Sequence, residues 1–298
     1  MFGNLFSETS DQNTREAVDV AWAGGVRYFD TAPHYGLGLA ELRLGAALRA
    51  YPRDQYVIST KVGRALVPTP ENAGQLDDDG FIVPAAFRRE WDFSRDGILR
   101  SVEQSLERLQ LDRIDILYLH DPDTQWEAAS TTGINTLIEL REQGVVTAVG
   151  VGMNQSAMPA EFVRRSDIDL VMLAGRYTLL EQSALDDLLP LAVERGVGIV
   201  AAGVYNSGLL SSAVVKDDTH YEYQAAPREL LERARELARI CERHGVTLPD
   251  AAVQFPLRHP AVISAVIGAR DGAQARGGLE RAAAEIPDAL WHDLEDFA

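Results

Sequence analysis

Asp30, His34 and Tyr35 fall within one short stretch, FDTAPHYG (29–36), directly behind an apolar run. Lys61 follows a second run, YVIST (56–60), and His120 closes a third, DILYLH (115–120). Asn154 stands just past a fourth, AVGVG (148–152). Each has an ordinary explanation when taken alone. Asp30, Thr31 and Pro33 suit a loop that starts a helix over 41–48, Lys61 an exposed lysine, His120 a turn residue before Asp121-Pro122, and Asn154 a helix cap. Together they are a set that chemistry could use. A tyrosine is a poor acid–base group near neutrality, because its ordinary pKa is about 10. A lysine ammonium beside the phenol favours the phenolate, and an aspartate paired with that lysine keeps it charged and in place. Tyr35, Lys61 and Asp30 would make such a relay, with His120 adding a second hydrogen bond at the reacting oxygen. An oxygen that gains or loses a proton while hydride moves to a nicotinamide needs these parts. The sequence carries no metal-ligand spacing, no Gly-x-Ser-x-Gly elbow and no Gly-rich phosphate loop.

Residues so far apart in the chain need elements that gather them. Seven strand-like runs occur: 26–30, 56–60, 115–120, 148–152, 169–174, 198–203 and 261–268. Helix-period segments alternate with them, among them TREAVDVAWAGG, LAELRLGAALRA, SRDGILRSVEQSLERLQ, INTLIELREQG, SALDDLLPLAVERG and PRELLERARELARICERHG. The runs are continuously apolar, as burial on both faces of a parallel sheet requires. Several helices end in a glycine that opens the next strand, Gly25, Gly144, Gly196 and Gly245, which suits a left-handed C′ residue. In a parallel barrel, Asp30, Lys61, His120 and Asn154 all emerge on the C-terminal rim, where that fold does its catalysis. Two segments, 62–93 and 204–227, are too long for plain connections and are expected to form walls or lids over that face.

The whole chain sets outer bounds. Its 298 residues are close to the roughly 250 of a single α/β barrel, and no linker splits them, so one domain over 1–298 is expected. Hydrophobic content of 46% and charged content of 24% are those of a globular protein. No run approaches a membrane span, and the first residues lack the basic and apolar segments of a signal peptide, so a cytoplasmic chain is expected. Its one cysteine, Cys241, excludes an internal disulfide and reads as a packed thiol. A net charge of −17 argues against nucleic acid or anionic lipid as a partner. An anionic ligand then needs a local cationic or amide-lined pocket.

FDTAPHYG, the STK at 59–61, SLERLQLDRIDILYLHD and the strand-end Asn154 resemble the aldo-keto reductases, in the right order across nearly the whole chain. The resemblance implies a (β/α)8 TIM barrel binding NADP or NAD in extended form, with Asp30, Tyr35, Lys61 and His120 matching the catalytic tetrad. GVGMNQ (150–155), RYTLLEQ (176–182) and GVYNSGLL (203–210) are most similar to the family's bacterial sugar dehydrogenases, which act on L-fucose and D-threo-aldoses. Pyridoxal oxidation belongs to the same branch and is the closest alternative, ahead of general aldehyde or ketone reduction. The resemblance implies cofactor contacts from Asn154, Tyr205, Ser207, Leu209, Gly268, Arg270 and Gln274, for a chain acting as a monomer or homodimer. His34 and the two long segments are the candidates for sugar contacts, with a turn-forming role as the alternative for His34. There are departures. Met153 stands in the family's usual Ser position, while the usual Gln and stacking Tyr fall near Ala174 and Ala202, which leaves Tyr177 or Tyr205 as the aromatic candidates. Gly268 and Gln274 stand where many relatives have cations, so both nucleotides are expected to work. Two rival classes remain, a Schiff-base lyase with Lys61 as nucleophile and a nucleotide-binding regulatory subunit without turnover.

Counting strands leaves one short. Seven runs are present where the barrel needs eight, and the family's first strand should lie just before Phe2-Gly3-Asn4-Leu5-Phe6, where Met1 already stands. The chain is therefore expected to show at most a stub of that strand before residue 8, with the strands of 26–30 and 261–268 at the two edges. A start of the native chain upstream of Met1, or closure by another segment, would account for it.

Overall fold

In a computed structural model, residues 2–221, 224–295 and 297 are described, His220 by its backbone alone. In chain order the elements are α1 (Asp11–Ala23), β1 (Tyr28–Asp30), α2 (Leu39–Leu48), β2 (Val57–Val62), β3 (Arg64–Pro68), β4 (Phe87–Trp91), α3 (Arg95–Leu109), β5 (Ile116–His120), α4 (Trp126–Ala128), α5 (Ile134–Glu142), β6 (Ala148–Met153) and α6 (Ala157–Arg165). There follow β7 (Leu170–Ala174), α7 (Leu188–Arg195), β8 (Gly198–Ala202), β9 (His220–Tyr221), β10 (Gln224–Ala225), α8 (Arg228–Arg243), α9 (Leu248–Gln254), β11 (Val262–Val266), α10 (Gly272–Ala282) and α11 (Asp288–Glu295). All seven expected strands are present, within a residue or two of the apolar runs.

These seven make one sheet in the order β1-β2-β5-β6-β7-β8-β11. The pairings β1 with β2, β2 with β5, β5 with β6 and β8 with β11 are parallel. β5 is buried at every position, whereas β1 and β11, the two edge strands, keep partly exposed residues. Residues 2–9 add no strand to this sheet; Leu5 forms a single antiparallel bridge with Phe81. β1 and β11 are the sheet's edges, as expected, and Met1 lies outside the described residues.

Chain contacts gather into two compact units. The first, Met1–Gly152 with Arg164–Val171 and Gly268–Gly277, holds α1 to α3 and β1 to β6 almost entirely. The second, Met153–Val163 with Met172–Ile267 and Gly278–Ala298, holds α7 to α9, β8 to β11 and α11. Gly25, Gly144, Gly196 and Gly245 all have positive φ, between 68° and 91°, with open space around a would-be Cβ, so backbone conformation alone selects them.

The two long connections are partly ordered. Within 62–93, β3 and β4 pair as an antiparallel hairpin, Arg64 opposite Trp91 and Pro68 opposite Phe87. Leu66, Phe81 and Val83 bury a small satellite core there with Leu37, against which Tyr35 packs. Within 204–227, β9 and β10 form a two-residue ribbon, Gln224 opposite Tyr221. No described helix is long and apolar enough to cross a membrane.

Candidate active site

Strand register brings the first group together. Side chains alternate along a strand, so residues two apart share a face. β1 therefore presents Tyr28 and Asp30 together, β2 presents Ser59 and Lys61, and β5 presents Tyr118 and His120. The pairing sets Asp30 opposite Ser59, Lys61 opposite Tyr118, and His120 opposite Gly152. Gly152 has no side chain, and a Cβ there would already stand 3.6 Å from the Lys61 chain.

Lys61 Nζ donates to Asp30 Oδ2 at 2.6 Å and to Thr31 O at 3.0 Å. The Lys61 side chain is 2% exposed and that of Asp30 7%, so this is a buried ion pair. Lys61 Nζ also lies 4.8 Å from the Tyr35 ring centroid. The Tyr35 and His120 rings meet edge to face at 5.7 Å, and His34 stands 5.5 Å from His120. Asp30, Tyr35, Lys61 and His120 are thus one cluster, with His34 at its margin.

The local chain explains why Tyr35 can enter it. Asp30 and Thr31 do not cap the next helix: α2 starts after Gly38, a left-handed residue with no side-chain cap. Gly36 has φ 64°, and a Cβ on it would fall 2.4 Å from Gly3 O. Only a glycine permits that approach of residues 2–9 to the Tyr35 backbone. Nor is His120 a turn residue, since it ends β5 fully within the sheet.

Behind the cluster runs a hydroxyl chain that periodicity could have revealed, though residue types did not. Ser59 Oγ donates to Asp30 Oδ1 at 2.6 Å. Tyr28 lies 3.0 Å from Ser59 Oγ and 3.2 Å from the Tyr118 hydroxyl. A carboxylate only accepts and each hydroxyl has one proton, so the donors run Tyr118 to Tyr28 to Ser59 to Asp30. Such a chain polarises toward Asp30 and fixes which oxygen faces Lys61.

Electrostatics depart from the expected phenolate. Burial raises the Tyr35 pKa above its ordinary value, and the opposing pull of Lys61 does not outweigh it. Burial works against the Lys61 ammonium too, yet Asp30 and Tyr35 together push its pKa above that of an ordinary lysine. A lysine held charged in this way is no Schiff-base nucleophile. Burial, then Lys61 and Arg64, hold His120 well below the usual histidine range, so its ring is neutral at pH 7. His34 is pulled down to about 3, first by burial and then by Arg64, Arg89 and Lys61.

The hairpin supplies those arginines, which sequence reasoning passed over inside a long segment. Arg64 Nη2 donates to Asp121 Oδ2 at 2.8 Å, and Arg89 to Asp77 at 2.6 Å and to His34 O at 3.2 Å. Among the described residues, no cluster of His, Cys, Asp or Glu could hold a metal.

The residues named for a cofactor lie in both units. In the second, Asn154 is exposed beyond β6, Leu209 is buried, and Ser207 is exposed with φ 57°. Tyr205 accepts a hydrogen bond from Arg281 at 3.0 Å. Tyr177 is a core residue instead, 7% exposed against Phe255, and Met153 is likewise buried. In the first unit, Gly268 is exposed, Gln274 lies in the first turn of α10 and accepts from Arg270 N at 3.0 Å, and the Arg270 guanidinium donates to Leu5 O at 3.1 Å and to Ser7 Oγ.

Comparison with known proteins supplies the context. The model of the Aldo/keto reductase family matches residues 1–298. A D-threo-aldose 1-dehydrogenase of Pseudomonas sp is 49% identical over 297 residues, covering 99% of this chain and 90% of that protein. A pyridoxal 4-dehydrogenase of Microbacterium luteolum is 38% identical, over 98% and 90%. Among solved structures, the holo form of an aldo-keto reductase from Bacillus halodurans aligns with a TM-score of 0.79 at 25% identity, covering 100% of this chain and 90% of that one.

Proposed function

The chain belongs to the aldo/keto reductase family and has its α/β barrel fold, and from that premise we propose that it is an NAD- or NADP-dependent aldose 1-dehydrogenase. The observation that carries the reading is the buried Asp30–Lys61 pair at 2.6 Å beneath Tyr35, with neutral His120 beside it. The 49% relative supports an aldose of the D-threo type as substrate; L-fucose is the further candidate within this reading. Asn154, Tyr205, Ser207, Leu209, Gly268, Arg270 and Gln274 are the residues we assign to the nicotinamide dinucleotide, which when bound supplies the hydride acceptor.

In this reading Tyr35 takes the proton of the anomeric hydroxyl as C1 gives up hydride, so that the hemiacetal becomes a lactone. Lys61 stabilises the phenolate that forms, and Asp30 holds the ammonium charged and in place. His120, uncharged, hydrogen-bonds to the same oxygen and orients it. His34, at the margin of the cluster, is assigned to the sugar.

The test is a panel of aldoses plus pyridoxal, each with NAD and with NADP, run on the wild type and Tyr35→Phe. We expect an aldose to be the best substrate, both nucleotides to work, and Tyr35→Phe to lose about 100- to 10,000-fold in turnover with nucleotide binding nearly unchanged. Pyridoxal outperforming every aldose would replace the substrate assignment. Tyr35→Phe retaining more than about a tenth of the activity would remove Tyr35 from its role.

A further inference from the structure

The turn after β5 carries a residue that the four-residue cluster does not use. Asp121 adopts a left-handed backbone, φ 40°, although it bears a side chain. That conformation is unfavourable for a residue with a side chain and persists where the surroundings over-determine it. Two contacts do so: the Asp121 N–H donates to Gly152 O at 2.9 Å, and Oδ2 accepts from Arg64 Nη2 at 2.8 Å. Arg64 is itself held over the Trp91 ring, its guanidinium carbon 4.6 Å from the centroid. Hairpin and strand together therefore aim one carboxylate. Its Oδ2 ends 3.7 Å from His120 Nε2, too far for a direct hydrogen bond. A counterion for Arg64 needs neither a strained backbone nor this approach to His120.

We propose that Asp121 determines specificity: its carboxylate accepts a hydrogen bond from the substrate hydroxyl on the carbon next to the reacting one, while Tyr35 and His120 hold the reacting oxygen. This rests on the aldose reading above. An oxygen bound by His120 Nε2 lies about 2.7–3.2 Å from it, and vicinal sugar oxygens are themselves about one hydrogen-bond length apart. The 3.7 Å between Nε2 and Oδ2 is the gap that such a pair of oxygens bridges. A carboxylate only accepts, so it selects a hydroxyl donor and gains nothing from hydrogen. Sites built this way disfavour the analogue that lacks the hydroxyl, because its hydrogen bond to the carboxylate is then missing and nothing replaces it.

The experiment compares an aldose with its 2-deoxy analogue, with NAD and with NADP, in the wild type, Asp121→Gly and Asp121→Asn. Glycine suits the left-handed backbone better than aspartate does, so the turn is retained. The wild type should favour the aldose in kcat/KM by about 10- to 150-fold, the range of one hydrogen bond to a charged group. In Asp121→Gly that ratio should fall to within about threefold of one, and Asp121→Asn, which keeps an acceptor but no charge, should lie between. A ratio in Asp121→Gly within about threefold of the wild-type value overturns the inference while leaving the aldose reading intact, as does a wild type that does not discriminate. A wild type that oxidises no aldose overturns both.

Discussion

The directions of two pKa shifts decide how the reaction should respond to pH. In the proposed reaction, oxidation uses Tyr35 as a base, and burial holds its proton more tightly than in an ordinary tyrosine. The deprotonated fraction therefore grows tenfold per pH unit throughout neutrality, and log(kcat/KM) for oxidation should climb with a slope near one up to alkaline pH. Reduction uses the phenol, already present, and should stay level over the same range. His120 adds no acid limb near pH 6.5, because its imidazole titrates well below the ordinary range. Steady-state profiles in both directions check this; an oxidation profile that is flat from pH 6 to 9 would contradict it.

At the scale of elements, the site depends on how closely α2 lies on α3, because the connection from β1 to α2 carries Tyr35. Gly45 sits in the middle of α2, and a Cβ there would fall 2.0 Å from Leu109 O at the end of α3. Backbone cannot yield as a side chain can. Gly45→Ala should therefore destabilise the chain by about 1–3 kcal/mol, although alanine in a helix interior is ordinarily better than glycine by about 1 kcal/mol. Urea midpoints of the two proteins measure the difference, and a more stable variant would show that the helices are not in fixed contact.

At the scale of the molecule, the histidines buried uncharged make folding sensitive to acid. His34 is lowered from 6.5 to about 3 on folding, first by burial and then by Arg64, Arg89 and Lys61. Between those values the unfolded chain binds the proton and the folded chain does not. Stability is thus complete above about pH 6.5 and is lost progressively as the pH falls toward 3. Unfolding free energy at pH 5 should be lower than at pH 7.5, and His34→Phe, which keeps a ring against Phe81, should recover about 1–2 kcal/mol of that loss. Equal acid sensitivity of the two proteins would refute the account.

What the sequence determined by itself was the order of elements and the identity of the groups on the strand ends. Continuous apolar runs, helical periods and C′ glycines are local signals, so all seven strands and the alternation with helices were legible in it. Helices α4, α6 and α9 to α11 were not singled out, since segments this short carry weak periodicity. The hairpin of β3 and β4 hid in a stretch rich in Pro, Gly and Asp, where pairing rests on a satellite core with distant Leu37. Proximity itself was decided only in three dimensions. Asp30, Ser59 and Ile116 become neighbours through sheet register, which no local pattern encodes. The same folding set the protonation of Tyr35 against the simple expectation, because desolvation depends on what surrounds a side chain and a list of residue types contains no surroundings.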